Sequence, residues 1–102
     1  MGKRIDVVLL SGGVIFVLEF KVGATIADRD ALEQAWDYAL DLQNFHETSH
    51  ARVIAPIVVA TESTGRSLVL GPTSHSDKVL PPLYSGEANL AALIAHVFAF
   101  AS

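Results

Sequence analysis

The chain contains no cysteine among its 102 residues. Disulfides and thiolate metal sites are therefore excluded, and the composition fits a cytoplasmic protein. No apolar run reaches the ~18 residues of a membrane span. The opening Met1-Gly2-Lys3-Arg4 leads straight into β-prone sequence. It lacks the apolar run and small-residue cleavage site of a signal peptide. Charge is sparse: 18% of residues are charged, and 51% are hydrophobic. That balance excludes disorder and is ample for one small domain with one core. The surplus apolar content also points to a buried face between copies or domains, so a homodimer or an adjoining domain is expected. The net charge of −4 argues against a simple electrostatic nucleic-acid binder. No phosphate-binding Gly-x-x-x-x-Gly-Lys-Ser/Thr loop is present.

What the chain does have is a concentrated beginning. Arg4-Ile5-Asp6-Val7-Val8-Leu9-Leu10 and Val14-Ile15-Phe16-Val17-Leu18-Glu19-Phe20-Lys21 flank Ser11-Gly12-Gly13. A Gly-Gly pair between two β-branched runs predicts a two-residue hairpin. Its register sets Leu10 opposite Ile15, Val8 opposite Val17, Asp6 opposite Glu19 and Arg4 opposite Lys21. Side chains alternate, so Val17, Glu19 and Lys21 share one face with Arg4, Asp6 and Val8. Ile5, Val7, Leu9, Phe16, Leu18 and Phe20 form an apolar face expected to pack on a core. Two carboxylates opposed across strands destabilise a sheet. A divalent cation held by their oxygens reverses the sign. The plainer reading is a solvated sheet face carrying an Arg4/Glu19/Lys21 charge cluster.

A helix is predicted from Asp28 or Arg29 to about Phe45. Asp30 with Glu33 has capping-box spacing, and Asp28 is the rival cap. Leu32, Ala35, Trp36, Ala39, Leu40 and Gln43 form one stripe, and Gln34, Tyr38 and Asp41 a second. Trp36 is assigned to the core. Val53 to Ala60 is β-prone but contains Pro56, which suggests an edge or a bulge. Arg66 to Leu70 reads as a short strand and Gly71 to Pro82 as a loop. A last helix is expected after Ser85 as N-cap, with the stripe Leu90, Leu93, Ile94, Val97 and Phe98. The order β-β-α-β-β-α predicts a small α/β domain with a mixed sheet.

Asp6, then Glu19-Phe20-Lys21, then Gln34 and Tyr38 four apart on a helix, resembles the PD-(D/E)XK nuclease superfamily. The wording Lys3-Arg4-Ile5-Asp6, Leu18-Glu19-Phe20-Lys21 and Gln34-Ala35-Trp36-Asp37-Tyr38 is closer to a bacterial subgroup. There a nuclease-like domain precedes a superfamily-1-type ATPase or helicase domain. The resemblance covers the first half of the chain well and the second half only by pattern. It implies a restriction-endonuclease-like fold and hydrolysis of nucleic-acid phosphodiester bonds, in DNA or RNA. Asp6, Glu19 and the Phe20 carbonyl would hold Mg²⁺ or Mn²⁺, with a metal-activated water as nucleophile. Lys21 would position that water or stabilise charge on phosphorus-bound oxygens. Gln34 would orient the site or touch phosphate, supported by Tyr38, and Arg4 would contact phosphate or pair with Glu19.

Two departures qualify the resemblance. Ile5 stands where the family usually has proline. The helix that the family places before the first strand has no room here, so residues 1–102 are expected to be one domain cut from a longer protein. The alternative is a catalytically silent nucleic-acid-binding or dimerisation module.

One rival motif is His46-Glu47-Thr48-Ser49-His50, which fits the H-E-x-x-H zinc peptidase pattern. It falls where the helix should end, and Thr48 and Ser49 are mediocre helix interiors. A polar helix terminus is the simpler account. His75 and Asp77 are read as loop polarity and His96 as structural.

Overall fold

The computed structural model describes residues 6–45, 52–65 and 79–101. Three sequence expectations fall outside them: the Arg66–Leu70 strand, the His46–His50 motif, and the loop positions His75 and Asp77. Arg4 does too.

The glycine pair turns the chain as its composition demands. Gly12 and Gly13 take φ of 58° and 80°, the left-handed conformations of a two-residue hairpin turn. The turn joins β1 (Val7–Ser11) to β2 (Val14–Lys21) in antiparallel register. Val8 lies opposite Val17 and Leu10 opposite Ile15, as the turn length predicts.

A helix, α1 (Arg29–Phe45), crosses from β2 to β3 (Val53–Ala60), which pairs parallel to β2. Its N-cap is Asp28, whose Oδ1 accepts the Ala31 N–H at 2.8 Å, and not an Asp30–Glu33 box. A three-residue strand, β4 (Leu83–Ser85), runs parallel to β3. The result is an α/β domain with a four-stranded mixed sheet ordered β1-β2-β3-β4.

Pro56 departs from expectation. It lies not on an edge but within β3, between β2 and β4, opposite Val17. The Ile54 carbonyl accepts the Leu80 N–H, so by strand alternation the Pro56 nitrogen also faces the β4 side. The β4 pairing begins only at Ile57–Leu83. Between the Ile54–Val79 bridge and that pair, one chain takes four steps and the other three. The irregularity that a strand proline calls for is thus in the neighbouring chain.

The segment expected to be a plain loop up to Pro82 also contributes Val79 and Leu80 to the core. Ser85 does not cap a helix. It ends β4, fully buried, with its hydroxyl donating to the Gly86 carbonyl. A 3₁₀ turn at Glu87–Asn89 intervenes before α2 (Leu90–Ala101).

The helices cover opposite sheet faces. Leu93 and Val97 of α2 pack with Val14, Phe16, Leu18, Ile57 and Val59. On the other face, Ala31, Ala35 and Ala39 let α1 approach Val17, Ile54 and Val58 closely. Strand β1 shares little of this cover: Val7, Val8, Leu9 and Leu10 are 40–57% exposed. The apolar face expected to be buried is buried at Phe16 and Leu18 of β2, but Phe20 is 36% exposed and β1 is open. Among the described residues no helix is long and apolar enough to cross a membrane.

Candidate functional site

The hairpin and α1 bring five of the sequence-selected residues to one place. Asp6, Glu19, Phe20, Lys21 and Gln34 line a cavity of about 60 Å³. Tyr38, one helical turn beyond Gln34, instead packs half-buried against the cluster containing Ile15, Val17 and Ile54.

Glu19 is set by the period of β2. It follows Ile15 and Val17 on the side that α1 covers, and is only 3% exposed. This excludes the solvated-face reading for Glu19. Its Oε2 has no hydrogen-bond partner among the described residues. Lys21, two residues on and on the same face, places Nζ 3.6 Å from that oxygen. The separation allows ion pairing but exceeds a hydrogen bond. A buried carboxylate oxygen left without a hydrogen bond costs about 1–3 kcal/mol or more.

Asp6 is close to its expected position but not in the ladder. Regular pairing ends at Val7–Leu18, and the Asp6 N–H donates to the Leu18 carbonyl at 3.1 Å. The carboxylate turns toward β2, where Oδ2 accepts the Phe20 N–H at 2.8 Å. By strand alternation the Phe20 carbonyl leaves β2 on that same side. A direct Asp6–Glu19 cross-strand pair is therefore replaced by a side-chain-to-backbone bond. Both residues still line one cavity.

The far end of β2 is fixed by contacts that no sequence pattern signalled. The Lys21 carbonyl accepts N–H bonds from both Ala24 and Thr61 at 3.2 Å. The Thr61 Oγ1 accepts the Gly23 N–H at 2.8 Å. Thr61 thereby anchors the backbone that presents Lys21.

The donors are two carboxylates, a main-chain carbonyl and a side-chain amide, all oxygen-bearing. Such a set fits a hard cation that retains several waters, such as Mg²⁺ or Mn²⁺. The orphaned Glu19 oxygen is the feature a cation would satisfy. By the volume a water needs, the cavity admits about four water-sized spheres. Among the described residues no group of three His, Cys, Asp or Glu side chains converges.

Trp36 packs half-buried against the core cluster of Ile15, Val17 and Ile54. It lines an open groove on the other flank of α1 with Arg29, Leu32, Glu33, Asp37 and Pro82. His96 is half-buried on α2. Comparison with protein-family models, curated proteins and solved structures gives no match.

Proposed function

We propose that this chain is a metal-dependent nuclease-like domain, of the PD-(D/E)XK kind, that hydrolyses phosphodiester bonds in nucleic acid. The observation carrying this reading is the buried Glu19 carboxylate. Among the described residues its Oε2 has no hydrogen-bond partner, and Glu19 lines a cavity with Asp6, Phe20, Lys21 and Gln34. A carboxylate kept from water without a hydrogen-bond partner is costly for folding and useful for holding a cation.

In this reading Asp6 and Glu19 hold Mg²⁺ or Mn²⁺ together with the Phe20 carbonyl. The cation, when bound, neutralises charge and makes water nucleophilic near neutral pH. Lys21, 43% exposed, reaches from the cavity wall toward solvent, where a phosphate would arrive. Its ammonium stabilises the charge that grows on the phosphoryl oxygens. Gln34 donates from α1 and orients the phosphate. The substrate is DNA or RNA, the fold is restriction-endonuclease-like, and the setting is cytoplasmic.

The test uses end-labelled DNA and RNA oligonucleotides with Mg²⁺, Mn²⁺ or EDTA. Metal-dependent cleavage by the chain, lost in Glu19→Gln, supports the reading. Absence of cleavage together with absence of divalent-cation binding by calorimetry overturns it. The exposed apolar residues of β1 favour a second reading, an assembly module without catalysis. Metal-independent DNA binding or self-association without cleavage would select it.

A further inference from the structure

We propose that β1 pairs with β1 of a second copy, antiparallel and centred on Leu9, to join two sheets into one of eight strands. The backbone groups of β1 divide between its two sides. A two-residue turn makes Ser11–Val14 a hydrogen-bonded pair, and bonded pairs alternate along an antiparallel ladder. Val7, Leu9 and Ser11 therefore direct their N–H and C=O groups to β2. Val8 and Leu10 direct theirs outward, and no strand among the described residues pairs with that edge.

Those outward groups are self-complementary in one register. With Leu9 opposite Leu9 of the second copy, Val8 faces Leu10 and Leu10 faces Val8. Both are then hydrogen-bonded pairs, and every outward group of the two residues is used. Shifting the register by two residues leaves one of the two pairs unmatched within the strand. The two-fold axis makes the contact isologous, so it closes on itself.

The side chains agree with this occupant. Val7, Val8, Leu9 and Leu10 are exposed on both sheet faces, and β1 carries neither charge nor proline. Proteins that keep an edge strand free usually place such residues there. The opposite edge of this sheet is treated differently. β4 has three residues, follows Pro81-Pro82, and is flanked by a segment held through the Gly86 N–H to the Gly65 carbonyl. Among the described residues one edge is short and the other is a regular five-residue strand. That asymmetry stops growth at two copies and disfavours a fibre.

The absence of cysteine gives a clean experiment. Leu9 meets its own counterpart in a non-hydrogen-bonded pair, with Cα atoms roughly 4.5 Å apart. Leu9→Cys should form an interchain disulfide on mild oxidation, whereas Val7→Cys, which faces Ser11 of the second copy, should not. In light scattering the chain should behave as a dimer. Val8→Pro removes an outward N–H and leaves the bonds to β2 in place, so it should give a monomer with an unchanged far-ultraviolet circular dichroism spectrum. Leu10→Lys should also give a monomer. A monomeric parent chain overturns the proposal, and so does a dimer in which Leu9→Cys fails to cross-link. If Val8→Pro does not fold, the two cysteine variants decide. None of these readouts depends on cleavage or metal binding.

Discussion

Lys21 Nζ stands 3.6 Å from Glu19 Oε2, and that carboxylate oxygen has no hydrogen bond among the described residues although Glu19 is almost wholly buried. The pair is therefore poorly arranged for stability. Among the described residues the one opposite charge beside it lies beyond hydrogen-bond range, and offsets only part of the desolvation of a carboxylate. The same arrangement suits an oxygen that a cation is meant to engage.

Glu19→Gln tests that trade directly. The amide removes a buried charge, so in EDTA the variant should be as stable as the parent or more stable by about 1–3 kcal/mol. Adding Mn²⁺ should raise the melting temperature of the parent and leave the variant unmoved. Calorimetric melting with and without metal reads both effects. A variant strongly destabilised in EDTA would mean that Glu19 is chiefly structural.

Lys21→Met should act in the opposite direction. It leaves Glu19 buried without its cationic neighbour, at a cost of about 1–2 kcal/mol, reduced by the exposure of the lysine. Cleavage should fall by about 10²-fold or more, the scale seen when one group stabilising transition-state charge is lost. Chemical denaturation and single-turnover kinetics separate the two losses.

Gln34 and Tyr38 lie on one helix flank but should behave differently. Gln34→Ala should lower cleavage with a stability change within about 0.5 kcal/mol, because the side chain is exposed at the cavity rim. Tyr38→Ala should lower the melting temperature, since the ring packs on the Ile15–Val17 cluster. Tyr38→Phe should restore the melting temperature, since it keeps the packed ring.

Gly86→Ala should destabilise the fold by about 1–3 kcal/mol, because a Cβ there collides with the Ser63 carbonyl oxygen. Metal binding at the Asp6–Glu19 cavity, whose lining does not include Gly86, should survive in the folded fraction. Asp28→Ala should cost about 1 kcal/mol through loss of the α1 cap. Thermal melts of both variants check these values.

The hairpin register was legible from Ser11–Val14 to Val7–Leu18 because Gly-Gly fixes the loop at two residues and alternation sets the partners, but the expected Asp6–Glu19 pair lies beyond it. The start of α1 was legible within one residue, since Asp28 and Asp30 were the only short acidic caps near it. The convergence of Asp6, Glu19, Lys21 and Gln34 was readable from pattern and resemblance together. Burial of Glu19 was not, because it depends on how closely α1 docks, which small residues at 31, 35 and 39 permit. The inner place of Pro56 escaped for a related reason. A strand proline is tolerated when the neighbouring chain carries the irregularity, and that chain is 25 residues away in sequence. The anchoring role of Thr61 likewise depends on parallel pairing between distant strands.

Phe98 of α2 reaches the hairpin tip. Its ring lies against Gly12 and meets Phe16 edge-on, with centroids 5.4 Å apart. The first strands and the last helix are therefore partners in one piece of core. During synthesis, β2 emerges long before the residues that cover Phe16 and Leu18. Glu19 lies on the same strand, whose Phe16 and Leu18 find their α2 partners only when nearly the whole chain is present. The separation raises contact order and slows folding. It also makes completion of the core beneath β2 a late event in the life of the chain.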